Sequence, residues 1–210
     1  MVPACDGEIN VVDVVSGTLR PITAGPEFDG APSWSPDGTE IAFQRSQDES
    51  RWALHVVDRN GTGQRRVWVP PGAGYLLGTG WAPGARIAVA AGAGGRGDGV
   101  WALAADGTGA EELHLPRTEW AEPRWSPGGA AVLVRALNSS SIAAVEVGGP
   151  LLFERPGSSA DWSPDGKQVA FCGDGGLWVM RRDGTGAARV VDGVRCNWAD
   201  AVAWSAPTPG

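Results

Sequence analysis

Five times the sequence writes a tryptophan followed by a turn-forming tail. These are Trp34-Ser35-Pro36-Asp37-Gly38, Trp81-Ala82-Pro83-Gly84, Trp125-Ser126-Pro127-Gly128-Gly129, Trp162-Ser163-Pro164-Asp165-Gly166 and Trp204-Ser205-Ala206-Pro207. Successive tryptophans stand 47, 44, 37 and 42 residues apart. Self-similarity at such a period marks a solenoid, a propeller or an array. Around each tail the same order of short apolar runs recurs. In the first full unit, strands are expected at 31–34, 41–43, 53–57 and 66–69, with Asn60-Gly61-Thr62-Gly63 as the hairpin between the last two, because Asn-Gly readily adopts the positive φ angles of a tight turn. Later units repeat the order through Ile87 to Val89 and Val100 to Ala104, Val132 to Val134 and Ile142 to Val147, and Val169 to Phe171 and Leu177 to Met180.

Each unit reads as a four-stranded antiparallel meander that cannot bury both faces by itself, and stacking such sheets around an axis gives a propeller. The opening residues 2–13 match 169–180, so they supply the second and third strands of a unit, with Leu19-Arg20-Pro21-Ile22 as the fourth. The missing first strand is found around Ala201 to Trp204. The expectation is an all-β, five-bladed β-propeller in one domain spanning 1–210. Its blades lie near 30–69, 78–115, 122–154, 160–191, and 200–210 joined to 1–22, so that the last is shared between the two ends and no sheet edge is left at the junction. Pro3 conflicts with a strand flanked on both sides, since it donates nothing to the ladder. The repeat tryptophans are expected to fill the wedges between blades, and Trp101 and Trp178 to pack likewise.

At 210 residues with 32 Gly and 16 Pro, the chain suits short strands and many turns rather than long helices. A net charge of −7 argues against nucleic acid or an anionic membrane as partner, because both need a basic face. No run approaches the roughly 18 apolar residues of a membrane span. The short stretch Val2-Pro3-Ala4-Cys5 is similar to the end of a bacterial lipoprotein signal, which points to an exported protein in the periplasm or at the cell surface.

Through Trp-Ser-Pro-Asp-Gly followed by Ile41-Ala42-Phe43, a strand ending Val56-Val57-Asp58, and Asn60-Gly61-Thr62-Gly63, the chain resembles the TolB-type propeller repeat, a relative of WD repeats. The resemblance covers nearly the whole length and is strongest at 34–38 and 162–166; the units at Trp81 and Trp125 lack the Asp. It implies a non-catalytic role in the bacterial cell envelope, with proteins or peptides bound at one mouth of the channel. Similar repeats gate the catalytic domain of prolyl-oligopeptidase-like enzymes, but this sequence has no Gly-x-Ser-x-Gly elbow.

A second pattern lies upstream of the repeat tryptophans. Phe28, Tyr75 and Trp198 each stand six residues before one, and Trp120 five before another. Polar neighbours accompany them: Glu27 and Asp29, Glu119 and Glu122, Asn197 and Asp200, with Arg117 and Arg195 flanking, and Asp161 in the fourth unit. In a propeller, the loops entering the innermost strands gather around the channel. An aromatic beside a carboxylate there stacks on a sugar or holds a cation. The ligand-binding set is therefore Phe28, Asp29, Tyr75, Arg117, Glu119, Trp120, Glu122, Asp161, Arg195, Asn197, Trp198 and Asp200, with Trp120 and Trp198 as anchors; the same positions also suit capping of blades or plugging of the channel. The ligand is a protein, a peptide or a glycan. The alternative is a carboxylate-based carbohydrate-active enzyme, a glycoside hydrolase or lyase, with its acid and base among Asp29, Glu122 and Asp200. No cofactor is expected, and the chain is expected to be a monomer.

Three weaker signals carry little. Gly92-Ala93-Gly94-Gly95-Arg96-Gly97 matches the dinucleotide fingerprint but leads into a strand rather than a helix. The Asp-Gly-Thr-Gly turns lack the spaced acids of calcium loops, and the three cysteines and two histidines have no metal-ligand spacing. Cys5 and Cys172 occupy matching strand ends in adjacent blades, and Cys196 lies in the loop between those blades. A disulfide joins Cys196 to Cys172 or to Cys5 in an oxidising compartment, or all three are free thiols.

Overall fold

The computed structural model describes residues 7–46, 52–71, 74–92, 99–116, 119–137 and 139–193, together with Val202 and Trp204. All regular structure in them is β. A two-stranded hairpin, β1 (Asn10–Val12) and β2 (Leu19–Pro21), comes first. Four four-stranded antiparallel sheets follow, each paired in chain order. Blade 1 is β3 (Phe28–Trp34), β4 (Glu40–Ser46), β5 (Trp52–Asp58) and β6 (Arg65–Trp68). Blade 2 is β7 (Tyr75–Ala82), β8 (Arg86–Gly92), β9 (Gly99–Ala104) and β10 (Glu111–Glu112). Blade 3 is β11 (Trp120–Trp125), β12 (Ala131–Ala136), β13 (Ser141–Glu146) and β14 (Leu151–Pro156). Blade 4 is β15 (Ser159–Trp162), β16 (Gln168–Gly173), β17 (Gly176–Arg181) and β18 (Ala188–Asp192).

The sheets stack face to face because their second strands are buried on both sides, by apolar residues from Ile87 to Gly92 in β8 and through Ile41, Ala42 and Phe43 in β4, where buried Gln44, Arg45 and Ser46 complete the strand. In β4 and β8 six successive residues are buried, with none of the in–out alternation of a sheet that has one wet face. The apolar clusters accordingly lie between blades. Ala42, Leu54 and Val56 of blade 1 meet Leu76, Ile87, Val89 and Leu103 of blade 2. Trp125, Val132 and Val134 continue the core from blade 2 into blade 3, and Phe153, Trp162 and Phe171 carry it from blade 3 into blade 4. Ile9 and Ile22, on either side of the first hairpin, pack against Ile41, Phe43 and Val57 of blade 1.

Two of the repeat tryptophans fill these wedges as the sequence implies. Trp125 and Trp162 are buried, and each indole Nε1 donates to a carbonyl on the innermost strand of the preceding blade, Gly80 O at 3.0 Å and Arg124 O at 3.2 Å. Trp81, Trp101 and Trp178 are half-buried. Trp34 departs from the pattern, with 47% of its surface exposed. The turns after Trp34, Trp125 and Trp162 are each closed by the serine that follows the tryptophan; Ala82 stands at that place after Trp81. Ser35 Oγ accepts from Glu40 N, Ser163 Oγ from Gln168 N, and Ser126 Oγ from Ala131 N, at 2.9 to 3.1 Å. The Trp125 unit therefore keeps its turn although it lacks the Asp, and Gly129 N still bonds Ser126 O at 2.8 Å.

Equivalent contacts recur from blade to blade. The Gly-Thr-Gly hairpin of one blade abuts the outer strand of the blade before it: Gly107 meets Val67, Gly184 meets Phe153, and Gly61 meets Ile22. The last contact places β2 and Ile22 where an outer strand belongs. At the other end, Val202 N donates to Ser159 Oγ and Trp204 N to Asp161 Oδ2, both at 2.9 Å. These match Thr79 Oγ1 to Ala31 O and Trp81 N to Ser33 Oγ between blades 1 and 2. Val202 and Trp204 thus lie beside blade 4 as an innermost strand would. Pro3 and the join between the two ends lie outside the described residues.

Candidate functional site

The first strands of blades 1 to 3 form a continuous inner wall, and each carries an irregularity that shapes it. Phe28 to Trp34 pairs with Ser46 to Ile41, Tyr75 to Trp81 with Gly92 to Ile87, and Trp120 to Trp125 with Ala136 to Val132. In every case the inner strand holds one residue more than its partner, which is a β-bulge. The extra residue falls near the position three before the tryptophan, where Ala31, Gly78 and Glu122 all take positive φ (46°, 131° and 52°). Blade 4 has no such shift between Ser159 and Trp162. The bulges turn the short segments 31–33, 78–81 and 122–125 toward one cavity of about 350 Å3.

That cavity is bounded by small or rigid groups, among them Ala31, Pro32, Gly78 and Pro123, with Trp81 and Trp125 at its sides. Its polar groups are Ser33, Thr79, Glu122 and Arg124. Glu122 accepts from Arg135 at 2.7 Å, and this hydrogen bond holds its carboxyl below the usual carboxylate range despite partial burial. Arg124 is less well engaged. Its guanidinium is 40% exposed and its ion pair with Asp161 is long, at 3.9 Å. The Asp161 carboxylate is already taken by the backbone N–H groups of Trp162 and Trp204.

The bulge also redistributes the aromatics singled out from sequence. An offset of six across one extra residue puts Phe28 and Tyr75 on the opposite face from Trp34 and Trp81, whereas an offset of five puts Trp120 on the same face as Trp125. Trp120 is 1% exposed, packs in the core between blades 2 and 3, and donates its Nε1 to Pro116 O at 2.9 Å. It is a core residue with no face to offer a ligand, and its role as an anchor is corrected accordingly. The aromatics do not enter the wall from loops but open the inner strands themselves. Phe28 meets the Trp52 ring edge-on at 5.9 Å, and Tyr75 OH donates to Glu119 Oε1 at 2.7 Å. Neither Phe28, Tyr75 nor Glu119 lines the cavity.

Asp29 is also removed from the wall. It is 4% exposed and forms a bidentate pair with Arg45 at 2.6 and 2.7 Å, while its N–H donates to Gly7 O. Of the sequence-selected residues among those described, Glu122 alone lines this cavity, with Asp161 reaching it through Arg124. Arg117, Arg195, Asn197, Trp198 and Asp200 lie outside the described residues. Sequence reading passed over Ser33, Thr79 and Arg124. The signal that finds them is the unequal count of residues on the two strands, because the polar residues that matter lie between the bulge and the tryptophan.

Near the Asp29–Arg45 pair, His55 is half-buried against the Phe43 ring, with centroids 5.6 Å apart. Burial, then the Arg45 charge, pushes its pKa from 6.5 down to about 4. The folded state therefore holds a neutral imidazole, and the unfolded chain binds the proton first. Stability is complete above pH 6.5 and falls as the pH drops toward 4. His55→Gln is expected to remove about 1 to 2 kcal/mol of that acid-side loss, after allowance for solvent screening. Urea unfolding of both proteins at pH 7 and pH 4.5 checks this; an unchanged difference between them would show that His55 does not titrate in this window.

Cys172 is disulfide-bonded. Cys5 and Cys196, the other two cysteines, lie outside the described residues. Among the described residues no group of three or more His, Cys, Asp or Glu is placed to hold a metal ion.

No family model matches the sequence, and no curated protein does so either. Solved structures do match. The chain is similar to TolB from Acinetobacter baumannii, with 23% identity and a TM-score of 0.65, covering 84% of this chain and 46% of that one. It is similar to an oligogalacturonate lyase in complex with manganese (15% identity, TM-score 0.69, 89% and 60% covered). It is also similar to the Cps50 (Swd1) beta-propeller domain of Myceliophteria thermophila (13% identity, TM-score 0.55, 90% and 80% covered). The chain thus spans less than two-thirds of the TolB and lyase structures. Blades in chain order, cores between blades and these likenesses together establish the architecture: the chain has the fold of a TolB-type, WD-like β-propeller.

Proposed function

We propose that the chain is a non-catalytic binding module that takes a polar ligand or peptide at the mouth of its central channel. The observation that carries this reading is the cavity of about 350 Å3 between β3, β7 and β11, a volume in the range of small-ligand sites, where two tryptophans flank a few convergent polar groups. The reading takes the ring as closed, with 200–210 and 1–22 completing the fifth blade. The equivalent seating of Ile22 on blade 1 and of Trp204 on blade 4 supports that closure. The disulfide at Cys172 supports an oxidising, extracytoplasmic setting.

The likeness to an oligogalacturonate lyase favours a second reading, carbohydrate cleavage in the channel. The described carboxylates support it poorly. A general acid needs a raised pKa, yet Glu122 is held ionised by Arg135 and Asp29 is locked against Arg45 in the interior.

Pro32→Trp separates the possibilities. Pro32 is exposed and lines the cavity, so an indole there fills the site at little cost to the fold. Peptide and glycan arrays are expected to lose at least about tenfold in binding, roughly 1.4 kcal/mol, while the melting temperature stays within about 2 °C. Unchanged binding by the plugged variant would place the site elsewhere, and products accumulating over time on any glycan would turn the assignment to an enzyme.

A further inference from the structure

The polar groups of the cavity are unevenly satisfied. Ser33 Oγ accepts from Trp81 N, Thr79 Oγ1 donates to Ala31 O, and the Glu122 carboxylate is occupied by Arg135. Arg124 is the exception. Among the described residues its guanidinium forms one ion pair, with Asp161 at 3.9 Å, which is beyond hydrogen-bond distance, and otherwise feels Glu122 only through space. The Asp161 carboxylate loses little if Arg124 turns away, because two backbone N–H groups already hold it. Arg124 is thus a cation at the cavity wall with its planar set of donors uncommitted, and such a fork matches a carboxylate.

The position is well built for that task. The backbone of Arg124 is fixed because its carbonyl accepts Trp162 Nε1 at 3.2 Å and the next residue is the buried Trp125. A residue whose main chain is clamped on both sides loses less freedom when its side chain engages a ligand. Of the other described charges lining the cavity, Glu122 is neutralised by Arg135, so that among the described residues an incoming anion meets Arg124 as the available cation. The wall beside it is smooth, formed by Ala31, Pro32, Gly78 and Gly80. A slim chain passes such a wall, and the volume accepts roughly two to three residues of peptide.

Building on the binding reading above, we propose that the cavity recognises the free C-terminal carboxylate of a peptide, with Arg124 as the residue that takes it. Arg124 leaves Asp161 and makes a bidentate pair with the carboxylate, and the last side chains of the peptide lie between Trp81 and Trp125. Capture of a terminal carboxylate is an established mode of peptide recognition, made elsewhere by nests of backbone N–H groups; here the guanidinium fork supplies the donors.

The test uses the full chain and a random hexapeptide mixture prepared in two forms, free acid and C-terminal amide, mixed in equal amounts and captured together. Mass spectrometry of the bound fraction is expected to show the acid form enriched at least about tenfold. Arg124→Gln should abolish the enrichment, and Arg124→Lys, which keeps the charge and loses the fork, should retain a few-fold preference. Both variants should melt within about 2 °C of the parent, since the Arg124 side chain is partly exposed and its backbone bonds are untouched. Equal capture of acid and amide that is still lost in Pro32→Trp would overturn the carboxylate assignment and leave the cavity as a peptide site. Capture of neither form would remove the peptide reading altogether. Arg124-dependent binding of tri-galacturonate in place of peptides would transfer the site to acidic glycans and overturn the proposal.

Discussion

Replacing Gly107 by alanine is expected to destabilise the protein by about 3 to 4 kcal/mol, while the same change two residues later, at Gly109, costs only about 1. Both glycines sit in the turn after β9 and both have positive φ, 90° and 63°, so each substitution carries the left-handed penalty of an L residue. They differ in what a Cβ would meet. At Gly109 nothing lies within 4 Å, whereas at Gly107 it would overlap the carbonyl oxygen of Val67 on the outer strand of the preceding blade. Backbone cannot swing aside as a flexible side chain can, so the two blades must part. Urea unfolding of the two variants measures the difference. Equal losses at the two sites would show that the turn does not abut its neighbour, and the blade-to-blade contact would have to be redrawn.

Opening the disulfide at Cys172 is expected to cost about 3 to 5 kcal/mol, because the bridge removes conformational freedom from the unfolded chain, by an amount that grows with the logarithm of the loop it closes. The size of the loss bears on the partner. Pairing with Cys196 closes a short loop and belongs at the lower end, whereas pairing with Cys5 encloses most of the chain and belongs at the upper end. Cys172→Ser and reduction of the parent should give the same loss. Alkylation of the denatured, unreduced protein should label one cysteine of three, and peptide mapping then names the pair. Labelling of all three would exclude the bridge, and with it this argument for an oxidising compartment.

Much of the site was hidden by a single inserted residue. Counted back from the repeat tryptophans, Phe28, Tyr75 and Trp120 stand six, six and five residues upstream and look like equivalent positions around one rim. The bulges break that count. They send Trp120 into the core, turn Phe28 toward Trp52, and bring forward the residues just before each tryptophan, whose side chains are too varied to stand out as a repeat. Asp29 shows a different limit. A carboxylate next to an aromatic reads as a ligand group, but Arg45 is sixteen residues away and its closing of a buried pair depends on the register of β3 against β4.

The spacing of Trp-Ser-Pro-Asp-Gly tails and Gly-Thr-Gly turns by itself determined that this chain folds as repeated four-stranded blades, because the serine, proline and glycine chemistry of those turns is local and fixes where each hairpin begins and ends. The seating of Ile22 and Trp204 at the two ends of that repeat follows from the same logic. Tertiary structure alone decided which polar groups face the channel and which arginine remains uncommitted there. Those outcomes depend on strand register and on partners far apart in the chain, and neither is encoded by any one segment.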